Sequence, residues 1–168
     1  QIVQKLLTKL SIDDINKRDN SGTSALMYSI RNENTILANQ FLCLEGIDIY
    51  SVDQDGKTSL MWASEKGLDQ TFQQLLSKLS IVDINKRDES GSSALMYAIK
   101  NQKFQCTNHL LSLTGIDVTF SIDQTCLMWA MEGNLEQTVQ KFLPKLRMAD
   151  INKRDQSGTS ALMYAIKS

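Results

Sequence analysis

Few side chains in this sequence have chemistry to offer. They are one histidine (His109), three cysteines (Cys43, Cys106 and Cys126) and a Lys-Arg-Asp triplet at Lys17-Arg18-Asp19, Lys86-Arg87-Asp88 and Lys153-Arg154-Asp155. A histidine works as a base, acid or ligand only beside a companion nucleophile, carboxylate or ligand set. None accompanies His109, which sits in a helical pattern just before Leu110-Leu111. The cysteines form no Cys-x-x-Cys pair and no even framework, so neither a metal site nor disulfides are indicated. Each falls where a small or apolar helix residue is expected, and a buried thiol in a reducing compartment, the cytoplasm, is the reading. No Gly-rich phosphate loop and no Ser/His/Asp set occurs. Acidic pairs such as Asp13-Asp14 read as solvated caps. Nothing here builds an active site, and no cofactor is implied.

Composition narrows the classes further. With 168 residues and 42% hydrophobic content, the chain is long enough for about one domain with a core. A net charge of −1 gives no global pull toward nucleic acid or anionic membranes, so any charged partner must be met by local patches. No apolar run reaches the ~18 residues of a membrane span. The first residue is Gln1 rather than Met, which suggests a fragment.

The elements that would carry those triplets repeat. Ile-Asn-Lys-Arg-Asp begins at Ile15, Ile84 and Ile151, and Ser-Ala-Leu-Met-Tyr follows each copy. Thr58-Ser59-Leu60-Met61-Trp62-Ala63 and Thr125-Cys126-Leu127-Met128-Trp129-Ala130 are echoes between them. Successive steps from Leu26 through Leu60, Leu95 and Leu127 to Leu162 are 34, 35, 32 and 35 residues. A longer period is superimposed: Ile15 to Ile84 is 69 residues and Ile84 to Ile151 is 67. The sequence thus predicts a repeat array, with units 15–49, 50–83, 84–118 and 119–150 between partial units 1–14 and 151–168.

Each unit follows one plan. An Asp-x-x-Gly segment (Asp19 to Gly22, Asp53 to Gly56, Asp88 to Gly91, Asp155 to Gly158) reads as a tight turn, since Asp bonds its own following backbone and Gly accepts a positive φ. Ser24, Thr58, Ser93 and Ser160 then serve as helix N-caps. A short first helix begins with the Leu-Met pair, and a second is marked by Ile36-Leu37, Leu75-Leu76, Leu110-Leu111 or Phe142-Leu143. Gly46 and Gly115 suit left-handed helix stops. Pro144 should kink or shorten the second helix of its unit. The fourth unit has lost two residues, including the turn glycine, and its finger is expected to be cut short.

This plan resembles the ankyrin repeat, whose period is ~33 residues. Five copies in register carry the likeness over essentially the whole chain. Tetratricopeptide repeats share the period but lack the Asp-x-x-Gly-x-Thr turn. The departures are systematic: the family's Pro is Ala25, Ser59, Ala94, Cys126 or Ala161, and its His is Met in all five copies. That His usually ties neighbouring loops, so looser loop coupling is expected, with methionine packing in its place.

The resemblance implies an all-α repeat solenoid of helix pairs with hairpin-like fingers. It also implies a protein partner held on the concave face of finger tips and first helices. Residue by residue, that face would carry Arg18, Asn20, Ser21, Thr23 and Arg31, then Gln54, Asp55, Lys57, Glu65 and Lys66. Arg87, Glu89, Ser90, Ser92 and Lys100 follow, and then Arg154, Gln156 and Thr159. Tyr28, Trp62, Tyr97, Trp129 and Tyr164 recur at one place on successive first helices; packing between units is the leading reading and an open aromatic stripe the other. A non-enzymatic binding scaffold is the expected function, and the targeting arm of a larger enzyme is the alternative. The near-zero net charge argues against nucleic acid. Apolar residues without polar caps at both ends (Ile2, Val3, Leu6 and Ala161 to Ile166) suggest end-to-end self-association.

Overall fold

The structure is a computed structural model that describes residues 2–118 and 125–167. The chain opens with α1 (Ile2–Leu7) and α2 (Ile12–Ile15). Four helix pairs follow: α3 (Ala25–Arg31) with α4 (Thr35–Leu42), α5 (Ser59–Lys66) with α6 (Asp69–Leu76), α8 (Ala94–Lys100) with α9 (Phe104–Ser112), and α10 (Cys126–Glu132) with α11 (Glu136–Phe142). The one-turn helix α7 (Ile81–Ile84) stands before the third pair, α12 (Met148–Ile151) comes after the fourth, and α13 (Ala161–Lys167) is last. The architecture is a helical repeat solenoid, as the pattern requires. Among the described residues the only β pairing is one bridge at the base of each finger, Arg18 to Ser24, Val52 to Thr58, Arg87 to Ser93 and Arg154 to Ser160.

One pair of short helices cannot cover its own apolar faces, so stacking supplies the core. Leu26, Ile30, Phe41, Leu60, Phe72, Leu75, Leu95, Ile99, Leu110, Leu127 and Phe142 are all at most 4% exposed and belong to a single cluster. Burial of each such side chain is worth about 1.5–3 kcal/mol. Large exposed apolar residues occur at both ends, Ile2, Val3, Leu6 and Leu10 at one and Leu162, Met163 and Ile166 at the other, and also singly along the stack, as at Ile36, Val82 and Met148.

The first helices are capped as the sequence predicts, with a twist at the methionine. Ser24, Thr58, Ser93, Thr125 and Ser160 accept the backbone N–H of Met27, Met61, Met96, Met128 and Met163. In three units the bond is returned: Thr58, Ser93 and Thr125 N–H groups point at the sulfur of Met61, Met96 and Met128, 3.4–3.5 Å away. The thioether, a weak acceptor, closes the reciprocal box that Glu or Gln usually closes. Met61, Met96 and Met128 are also at most 1% exposed, so the same side chain packs and caps, while Met27 is buried without the returned bond.

Pro144 acts as expected, since α11 stops at Phe142 and a 3-10 turn, Leu143–Lys145, replaces its continuation. Gly46 and Gly115 take φ of 79° and 80°, but they are not the helix stops expected of them. Cys43 caps α4 in right-handed backbone and Leu113 caps α9 in extended backbone, so the left-handed positions belong to the links beyond. The links without glycine form something the sequence reading did not foresee, the one-turn helices α2, α7 and α12. Ser11 caps α2 reciprocally with Asp14, and Ser80 accepts from Asp83 N–H. The Asp13-Asp14 pair is therefore a cap, as read. Its Asp14 carboxyl is held down at about 2 by the Lys17 ammonium and then by Ser11.

Cys106 and Cys126 are buried, and burial above all pushes both thiols up to about 12. Cys43 corrects the expectation, because it lies exposed at the end of α4. His109 is a half-buried helix residue whose Nδ1 lies 2.8 Å from Gln105 O. The shortened finger expected in the fourth unit falls on residues 119–124, outside the described residues.

Candidate functional site

Each finger is built on its aspartate. Asp19 Oδ1 accepts the backbone N–H of Ser21 and Thr23, and Gly22 N–H closes the turn on Asp19 O. Asp53 and Asp88 do the same for Asp55 and Lys57, and for Ser90 and Ser92. The second carboxylate oxygen reaches back to the first helix. Tyr28 Oη donates to Asp19 Oδ2 at 2.6 Å, Trp62 Nε1 to Asp53 Oδ2 at 2.9 Å, Tyr97 Oη to Asp88 Oδ2 at 2.6 Å and Tyr164 Oη to Asp155 Oδ2 at 2.8 Å. Trp62, Tyr97, Trp129 and Tyr164 pack partly buried against the core, and Tyr28, Trp62, Tyr97 and Tyr164 are in addition props that hold fingers to helices. Tyr28 remains 42% exposed, while Trp62, Tyr97, Trp129 and Tyr164 are half-buried. The Tyr28 hydroxyl, then Ser21 and Thr23, lower the Asp19 carboxyl to about 2. Burial, and then the Asp88 carboxylate, push the Tyr97 phenol up.

Neighbouring fingers meet backbone to backbone. Gln54 N–H donates to Ser21 O at 2.8 Å and Glu89 N–H to Asp55 O at 3.0 Å. A side chain at Gly22 would meet Val52 O at 3.1 Å, and one at Gly56 would meet Glu89 N at 3.0 Å, so both need glycine for space as well as for φ near 75°. These bonds join adjacent fingers directly, backbone to backbone, with no side chain from the position where the family has histidine.

The residues assigned to the concave face separate into two groups. In the first, side chains are occupied within the fold. Thr23 is 4% exposed, and the buried side chain is withdrawn from that face; its hydroxyl lies 2.9 Å from Ser21 Oγ. Ser21 and Ser90 donate to Asp19 and Asp88, while Ser92 Oγ and Thr159 Oγ1 each lie 3.0 Å from a neighbouring hydroxyl, Ser90 Oγ and Ser157 Oγ. Lys57 pairs with Glu65 at 2.6 Å and lies 4.0 Å from the Trp62 ring centre and 4.1 Å from that of Tyr97. Lys66 pairs with Glu33 at 3.4 Å. Arg87 donates to Gly91 O and pairs with Asp117 at 2.6 Å, tying the third unit to the link of the fourth. Arg154 donates to Gly158 O at 2.7 Å.

The second group faces solvent. Asn20, Gln54, Asp55, Glu89 and Gln156 are exposed at the finger tips, and Arg18 is exposed at a finger base, 3.5 Å from Val52 O. Arg31 and Lys100 are exposed at the ends of α3 and α8, and each lies over the indole of the next unit: Arg31 5.3 Å from the Trp62 centre, Lys100 5.6 Å from that of Trp129. Sequence reasoning had left Trp62 and Trp129 out of the face. The signal that could have found them is the offset of 31 residues from Arg31 to Trp62, nearly repeated as the 29 from Lys100 to Trp129. No group of residues fit to hold a metal occurs among the described residues, and no described helix is long and apolar enough to cross a membrane.

A family model described as ankyrin repeats (three copies) matches residues 1–88, 36–122 and 95–168, and the chain belongs to the ankyrin-repeat family. Ankyrin repeats are generally protein–protein interaction modules and typically non-catalytic. No curated protein matches the chain.

Proposed function

We propose that this chain is a binding scaffold that holds a protein partner on the face made by its finger tips and first helices. The observation that carries this reading is the division of polar side chains just described. Turn aspartates, serines and props are consumed in shaping the fingers, whereas Asn20, Gln54, Asp55 and Glu89 stand exposed on consecutive tips with Arg31 and Lys100 at the helix ends beside them. A rigid row of polar tips over a stacked core lowers the ordering cost of an interface.

Photo-crosslinking in living cells tests this. A crosslinker placed at Asn20, Asp55 or Glu89 should capture a discrete protein, and one placed at Ile36 on α4, which is 74% exposed, should not. Capture from Ile36 with none from the finger tips would overturn the reading.

A further inference from the structure

We infer that the concave face recognises an extended acidic segment of a protein, gripped at two points two units apart by the Arg31–Trp62 and Lys100–Trp129 pairs. The inference rests on the binding face proposed above and names the chemistry it takes.

Charge bookkeeping leads to it. Most cations near the finger bases and links are neutralised internally: Lys17 by Asp14, Lys57 by Glu65, Lys66 by Glu33, Lys86 by Asp83 and Arg87 by Asp117. Arg31 and Lys100 have no carboxylate within salt-bridge distance among the described residues; their contacts are the indole faces. A cation held over an indole keeps its charge while the ring limits its freedom, so less entropy is lost when an anion arrives. Both stand at the last position of a first helix, where the negative helix end favours a cation but no carboxylate of the same helix pairs with it.

Spacing fixes the form of the ligand. Packed helices lie about 8–10 Å apart, so two units separate the cations by roughly 16–20 Å. An extended chain covers about 3.3–3.6 Å per residue, which places the two carboxylates about five residues apart. Between them lie two cations already satisfied, Lys57 and Lys66, so the centre of the segment need carry no charge. A single-stranded nucleic acid is disfavoured, since it carries a charge on every nucleotide and would meet the exposed Asp55 and Glu89 on the tips.

The probe is a synthetic peptide with glutamate at both ends of about four neutral residues, titrated against the protein and followed by the emission of the protein's two tryptophans. Binding should shift the emission. Arg31→Gln and Lys100→Gln should each weaken it about tenfold, and glutamine in place of both glutamates should abolish it. Both substituted residues are exposed, and an unchanged melting temperature will show that the variants fold. Equal binding of the glutamine peptide, unchanged affinity in the double variant, or tighter binding of an oligouridylate of the same charge would each overturn the inference. If the crosslinked partner is still captured from Asp55 in the Arg31→Gln, Lys100→Gln variant, the scaffold reading stands and the acidic-segment reading falls.

Discussion

Two kinds of joint alternate along this stack, and they are made of different physics. Where an odd unit meets the even unit after it, an asparagine amide brackets the next link. Asn16 Nδ2 donates to Gly46 O at 2.8 Å and Asn16 Oδ1 accepts from Asp48 N–H at 2.9 Å. Asn85 repeats both bonds on Gly115 and Asp117 at the same distances. Where the second unit meets the third there is no such bracket, because Tyr50 stands where Asn16 and Asn85 stand in the odd units. That joint instead encloses a cation. The Lys57 side chain, 12% exposed, lies between the rings of Trp62 and Tyr97 and against Glu65. The asparagine bracket is neutral and directional, with the Lys66–Glu33 and Arg87–Asp117 pairs beside it in its two copies; the Lys57 clamp is charged and enclosed. A neutral bracket should respond little to salt or pH, whereas a charged clamp depends on both partners staying ionised.

The two buried thiols let each joint be interrogated separately. Cys106 Sγ lies 3.5 Å from Asp69 Oδ1 across the second and third units, and Cys126 begins α10 in the fourth. The largest effect is expected from Asn85→Ala, which strips two backbone groups of their partner and should destabilise the protein by about 1–3 kcal/mol. Labelling by a thiol reagent should then quicken at Cys126 and stay slow at Cys106; uniform acceleration would mean the joints open together. Lys57→Met keeps the apolar stem between the rings but loses the charge, and about 1 kcal/mol should be lost. Here the pattern should reverse, with Cys106 exposed first.

The smallest effect concerns acid. The Asp19 carboxyl is depressed in the folded state from 3.8 to about 2 by Tyr28, Ser21 and Thr23. A depressed acid contributes stability that is present above 3.8 and is lost as pH falls through about 2. Finger props should therefore weaken in that window, seen as a rise in Tyr28 exposure by fluorescence, before either joint opens. Loss of the Cys126 protection ahead of that rise would reverse the ranking.

How much of this was legible depends on distance along the chain. Turn aspartates with their glycines, serine and threonine caps, the stop at Pro144 and the unit length all act within a few residues, and pattern sufficed to read them. The one-turn link helices were also local: Asp14 was read as a cap, and Ser11 three residues before it completes a capping pair that marks a helix start. The bonds from prop to aspartate span nine residues and need the hairpin to fold back. The asparagine brackets span 30 and 32, and the Lys57 cage draws on two units. On the candidate face, charge and position were visible, but neutralisation was not. Arg87 and Lys57 looked as available as Arg31 and Lys100 until their partners from neighbouring elements were in place.

The finger-to-finger bonds have a mechanical meaning. In both described cases the donor belongs to the later unit and the acceptor to the earlier one, Gln54 to Ser21 and Glu89 to Asp55. Linked one after another along the stack, they behave as springs in series, each bearing the whole of any tension along the row of fingers. Such a row yields one bond at a time and recovers one bond at a time, because each remade contact restores only its own joint. Bending the stack toward its fingers shortens these contacts and bending it away parts them, so a partner lodged against the tips would feel a surface that closes more readily than it flattens.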